Sequence, residues 1–132
     1  MTHEDYVSFE QAQVLKDLGF DWEVMKGYAH FPGEKVKTFN AQEENVNAIY
    51  SKWCFAAPTL AQAQKWLREV KGIALNVIAH DGGYYQWDGI YLPSAPKNVS
   101  TILYDKARFS SYEQALSAGI DKAILILKQQ DK

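Results

Sequence analysis

Cysteine occurs once in this chain of 132 residues, at Cys54, which excludes an intramolecular disulfide and any Cys-x-x-Cys metal knuckle. A lone thiol suits a reducing compartment. An excess of one charge sign is missing as well: 14 lysines and arginines face 16 acids, for a formal charge of −2. That balance gives no general attraction to phosphate backbones or acidic membranes. No window approaches the ~18 consecutive apolar residues of a membrane span. The opening Met1-Thr2-His3-Glu4-Asp5 has neither the basic stretch nor the apolar run of a secretory leader, so the expected location is the cytoplasm. Neither Gly-x-x-x-x-Gly-Lys nor Gly-x-Gly-x-x-Gly is present, and no glycine-cradled cofactor is expected. Asn98-Val99-Ser100 matches a glycosylation sequon by chance in a chain read as cytosolic.

What is present is a core. A composition 47% hydrophobic and 14% aromatic suffices for one domain spanning 1–132 and is too short for two. Three phrases share one grammar: Ser8-Phe9-Glu10-Gln11-Ala12, Thr59-Leu60-Ala61-Gln62-Ala63 and Ser111-Tyr112-Glu113-Gln114-Ala115. Each sets a hydroxyl three residues before a glutamine, ahead of an apolar run. The hydroxyl can accept from the backbone N–H three residues on while the glutamine returns to the cap's own N–H, which starts a helix. The phrases begin 51 and 52 residues apart, and the spans from Gly19 to Val46 and from Gly72 to Val99 have equal length. An internal α-β duplication is one reading of this spacing, and coincident capping chemistry is the other.

The first helix is expected from about Phe9 to Leu18, ended by Gly19. Residues 20–48 are the hardest to read: Trp22 to Phe31 suggests a short hairpin around Lys26-Gly27, and Asn40 to Val46 a loop or a single helical turn. Ile49 to Phe55 reads as a strand, and Leu60 to Val70 as a helix with Leu60, Ala63, Leu67 and Val70 on one face and Trp66 at its margin. Ile73 to Ala79 and Tyr84 to Leu92 form a hairpin around His80-Asp81-Gly82-Gly83. Pro93 to Lys97 is a loop, Thr101 to Tyr104 a third strand, and Tyr112 to about Leu127 the last helix, where Gly119 marks close packing against a neighbour. The fold class is α+β, in the order α-β-α-β-β-β-α. An antiparallel sheet of at least three strands, mainly from 73–104, is covered on one face by the helices starting at Phe9, Leu60 and Tyr112.

The stretch Ala57-Pro58-Thr59-Leu60-Ala61-Gln62-Ala63-Gln64-Lys65-Trp66-Leu67-Arg68-Glu69-Val70, with Phe109-Ser110-Ser111-Tyr112-Glu113-Gln114-Ala115 and Tyr6-Val7-Ser8-Phe9-Glu10, resembles small uncharacterised proteins of gut Bacteroidetes and of their phages and mobile elements. The resemblance implies a mobile-element origin and carries no activity, cofactor or catalytic residue. The span 59–127 also has the element order of double-stranded RNA-binding domains. Its last helix opens Ser110-Ser111-Tyr112-Glu113, with an acid where such domains place a lysine cluster, which argues against nucleic acid as the partner.

Cys54 is a candidate nucleophile, with His80 or His30 as base and Asp81 or Asp88 as orienter. A thiol between Trp53 and Phe55 in a strand is better read as a small buried hydrophobe. His80, Asp81 and Asp88 could in principle ligate a metal, but Asp81-Gly82 is an ordinary turn dipeptide and no metal site is expected. The aromatic run Tyr84, Tyr85, Trp87 and Tyr91 has most functional potential. Alternation puts Tyr85, Trp87 and Tyr91 under the helices with Ile73, Leu75 and Val77. The opposite face keeps Asn76, Ile78, Tyr84, Gln86 and Ile90, and Ile78, Tyr84, Gln86 and Ile90 form the candidate interaction face. The expected function is a non-catalytic binding or accessory module, acting on an unknown protein partner or by self-association. The alternatives are a nucleic-acid accessory protein and a cysteine-dependent hydrolase.

Overall fold

In the computed structural model, which describes residues 5–93 and 100–130, ten elements follow in chain order. They are α1 (Phe9–Asp17), β1 (Val24–Ala29), β2 (Lys37–Glu44), α2 (Val46–Ile49), β3 (Cys54–Ala56), α3 (Leu60–Val70), β4 (Ile73–His80), β5 (Tyr84–Tyr91), β6 (Thr101–Tyr104) and α4 (Tyr112–Gln130). The fold is α+β with two antiparallel three-stranded sheets, ordered β2-β1-β3 and β4-β5-β6. The loop read at 93–97 and the sequon at 98–100 fall largely outside the described residues, as does the Asn98-Val99 end of the repeat.

Local chemistry sets the helix starts. Ser8 Oγ accepts from Gln11 N at 3.1 Å while Gln11 Oε1 accepts from Ser8 N at 2.9 Å, and Thr59 and Gln62 repeat both bonds at the same distances. The third start is only half a box. Gln114 N donates to Ser111 Oγ at 3.1 Å, but Gln114 Oε1 accepts from Ser110 N and Ser110 Oγ at 3.2 and 2.7 Å. Gly72 stands at φ +75° after α3, and a Cβ there would come within 2.6 Å of the Leu92 carbonyl oxygen, so only glycine fits the passage into β4.

Residues 20–48 differ from the sequence reading. Instead of a hairpin around Lys26-Gly27, β1 runs straight through both, and its partner is β2, most of which lies in the stretch from Asn40 read as a loop or a single helical turn. The turn falls beyond His30, around Pro32-Gly33. β2 is hidden in the sequence because its apolar side is only Phe39 and Ala41, and because Gln42 and Glu43 break its alternation at φ 54° and 60°. The strand read over 49–55 is shortened to β3, since Val46–Ile49 makes the one-turn α2.

The repeated helix start does correspond to a repeated element order, α-β-β-β, apart from the interposed α2. The pairing is not repeated: β3 adds to β1, the first strand of its sheet, whereas β6 adds to β5, the second. The helices also divide differently from the expectation of three on one sheet. α3 and α4 pack on the second sheet, and α1 lies against β3 and α4, tying the two halves together.

One apolar cluster runs through both halves, including Leu15, Phe20, Leu67, Ile73 and Ile120, each contributing about 1.5–3 kcal/mol gross by leaving water. Trp66, placed at the helix margin by its spacing, is fully buried, because α3 is covered on that flank by Phe20, 5.3 Å away between ring centroids. Gly119 packs as its position in an apolar helix suggests: a Cβ would lie 3.2–3.3 Å from three ring atoms of Trp87. No helix among the described residues is long and apolar enough to cross a membrane.

Candidate sheet-face interaction site

Residues directly opposite in an antiparallel pair share a face. In the second sheet the register sets Ala74 beside Ile90 and Ile102, Asn76 beside Asp88 and Tyr104, Ile78 beside Gln86, and His80 beside Tyr84. The other parity, Ile73, Leu75, Trp87 and Leu103, is buried under α3 and α4. The face turned away from the helices is therefore apolar and uncovered: Ile102 is 72% exposed, Tyr104 64%, Ile90 43% and Ile78 41%. It holds all four residues of the candidate interaction face, Ile78, Tyr84, Gln86 and Ile90.

Ile102, Tyr104 and Arg108 belong to the same surface and were missed in the sequence. Alternation along β4 and β5 does not by itself reach β6, where the register makes Ile102 and Tyr104 its continuation. Arg108 reaches the face because Tyr85 and Phe109 form a bridge, bonded both ways at 2.8 and 2.9 Å, which turns the preceding arginine to the Tyr84 side. Its guanidinium lies 4.3 Å from the Tyr84 ring centroid, and His80 stacks on the same ring at 4.6 Å and 8°. Arg108 and His80 thus both pack on the one Tyr84 ring. Gln86 Nε2 donates to the Lys106 carbonyl at 3.1 Å, fixing the chain beyond β6 against the sheet. The face thus grades from an isoleucine end to an aromatic, cationic end, with Asp88 between.

Cys54, His80 and Asp88 do not form a common centre. Cys54 is buried in the first sheet, where Ser51 Oγ lies 3.7 Å from its sulfur, whereas His80 and Asp88 belong to the second. His30, one residue past β1, is paired with Trp53 through His30 N to Trp53 O at 2.9 Å. The pleat turns it to the opposite face from the thiol, and its ring lies edge-on to Phe9 at 5.4 Å. Among the described residues no group of three or more His, Cys, Asp or Glu could hold a metal.

A hollow lies between the β6 edge and α4, a cavity of about 450 Å³ walled by Trp87, Tyr104, Asp105, Asp121, Lys122 and Leu125. The Trp87 indole N–H is buried without an acceptor among the described residues. The hydroxyls held above the ordinary tyrosine range are both in the first half of the chain. The hydrogen bond from Tyr50 Oη to Glu44 Oε1, 2.6 Å long, raises Tyr50, with partial burial adding to it; burial and then the Glu10 charge raise Tyr28.

No protein-family model matches this chain, and neither a curated protein nor a solved structure is significantly similar to it.

Proposed function

We propose that the protein is a small non-catalytic binding module of the cytoplasm whose working surface is the uncovered face of β4, β5 and β6. The observation that supports it is the row Ile78, Ile90, Ile102 and Tyr104, exposed together on one sheet face while the chain's helices cover the other. Exposed isoleucine and tyrosine side chains interspersed with polar ones, here Asn76, Gln86 and Asp88, with Arg108 at one end, are the profile of a contact site. The site takes a protein surface that can bury isoleucine and tyrosine.

The test compares immobilised wild type, an Ile78→Ser, Ile90→Ser variant, and a Val70→Ser control on the far end of α3. A partner held by wild type and control, and released by the face variant with its urea midpoint preserved, supports the reading. Equal retention by all three sinks it.

A second reading, a stacking platform for single-stranded nucleic acid, is favoured by the Tyr84–Arg108 stack beside exposed Tyr104. Asp88 in the middle of the face and the net charge of −2 weigh against it. Binding of a labelled oligonucleotide that weakens steeply with salt would restore it.

A further inference from the structure

The strand edges of this molecule are not equivalent. On β3 the outward-directed groups are occupied: Lys16 Nζ donates to the Cys54 carbonyl at 2.8 Å, and Ala56 N donates to Asn47 Oδ1 at 2.9 Å. On β4 the Leu75 carbonyl accepts from Gln64 Nε2 at 2.8 Å, which covers the start of that edge and leaves the outward groups of Val77 and Ala79 beyond it. The β2 edge is broken by the bulge at Gln42 and Glu43 and carries Lys37. Side-chain cover, bulges and lysines are the devices by which sheets refuse another strand. β6, Thr101-Ile102-Leu103-Tyr104, has no charge, proline or bulge.

The ladder shows which of its groups are open. Leu92 N donates to Gly72 O, so along this register the even-numbered residues of β5 bond to β4 and the odd-numbered ones to β6. Gly89 and Tyr91 therefore bond Leu103 and Thr101. The N–H and C=O of Ile102 and Tyr104 point off the edge, with no partner among the described residues. α4 packs over β4 and β5 and leaves this edge clear.

Resting on the binding-face reading and enlarging that face, we infer that β6 pairs antiparallel with β6 of a second copy, about a two-fold axis through Leu103. Ile102 then faces Tyr104 of the second copy, each pair exchanging both backbone bonds, four in all. Isoleucine against tyrosine is a favourable cross-strand pair. Thr101 falls opposite Asp105 and Ser100 opposite Lys106, so like charges do not meet. A foreign peptide would have to supply this register; the chain's own strand already carries it. The two open faces join into one six-stranded surface, and Leu125, half exposed on α4 beside the edge, lies on the helix side of the contact. Four paired residues bury little against the roughly 1,600 Å² of a standard interface, so the dimer is weak.

The test is amide hydrogen exchange and sedimentation of the wild-type chain at about 10 µM and about 1 mM, concentrations that bracket a weak dimer. The expected result is a doubling of mass and at least about tenfold slower exchange of the Ile102 and Tyr104 amides at the higher concentration, with Thr101 and Leu103 protected at both. Ile102→Pro, which removes only an outward N–H, abolishes the dimer, and Ile78→Ser with Ile90→Ser leaves it intact. If the proline variant does not fold, the wild-type exchange decides alone. A wild type monomeric at the higher concentration with unchanged exchange overturns the inference, and so does a dimer lost in the face variant and kept in Ile102→Pro. In both cases the capture experiment judges the binding face separately.

Discussion

Gln64 caps one point of the β4 edge at Leu75: the amide of a helix side chain donates at 2.8 Å to a strand carbonyl that points away from its own sheet. Leu75 is core by its side chain and edge by its backbone, so without Gln64 that carbonyl would face partly buried space unbonded. Gln64→Ala is expected to cost about 1 kcal/mol, read as a lower urea midpoint at unchanged slope. An unchanged midpoint would mean that water serves the carbonyl as well as glutamine does.

The three helix-start glutamines look alike in sequence and differ in their surroundings. Gln11, 2% exposed, also donates through Nε2 to Ser117 O and Oγ at 3.1 Å and to Asp121 Oδ1 at 2.8 Å, binding α1 to α4. Among the described residues the Gln62 side chain makes only the capping bond to Thr59, and Gln114 bonds the exposed Ser110. Substitution by alanine should therefore cost about 2–3 kcal/mol at Gln11, about 1 at Gln62 and less at Gln114. Equal losses in chemical denaturation would refute the ranking.

That contrast also marks where the sequence stopped being readable. Capping, glycine stops and alternation are local, and they located α1, α3, α4 and the β4–β5 hairpin together with the open parity carrying Ile78 and Ile90. β2 could not be read locally, because a strand at a sheet edge with a left-handed bulge at Gln42 and Glu43 has too few apolar positions to show a period. Nor could the place of β3, since three residues joining β1 rather than their neighbours in the chain is a tertiary choice. The candidate face was legible on two strands and incomplete on the third, where pairing brings in Ile102, Tyr104 and Arg108.

Cys54 should behave as a packing residue. With 6% exposure, it is expected to react with an aqueous thiol reagent more than about 100-fold more slowly in the native state than in denaturant, since labelling requires opening of the first sheet. Rapid stoichiometric labelling of the folded protein near neutral pH would bring back the hydrolase reading.

Alkaline pH should weaken the first half of the fold. Tyr50 and Tyr28 have hydroxyls raised above the ordinary tyrosine value, so the unfolded chain loses these protons first. Their contribution is fully present below that value and is lost as pH rises through it toward the folded-state values. In Tyr50→Phe, stability should be lower at neutral pH, for want of the bond to Glu44, and should fall less between neutral and strongly alkaline pH. A wild-type decline equally steep in that variant would assign the effect to other groups.

Gly119→Ala sets two known terms against each other. Alanine in a helix interior is worth about 1 kcal/mol over glycine, which alone would stabilise α4. The added methyl meets Trp87 ring carbons at 3.2–3.3 Å, closer than van der Waals contact, and the indole is a rigid plane 3% exposed with no flexible end to swing aside. Overpacking of this kind costs about 1–3 kcal/mol, so the net change is expected to be a loss of up to about 2 kcal/mol. The cycle with Trp87→Phe separates the terms: a smaller ring relieves the contact, so the alanine should be less harmful, or beneficial, in that background. If Gly119→Ala raises the urea midpoint of the wild type, α4 moves off Trp87 at little cost and the glycine is not there for close packing.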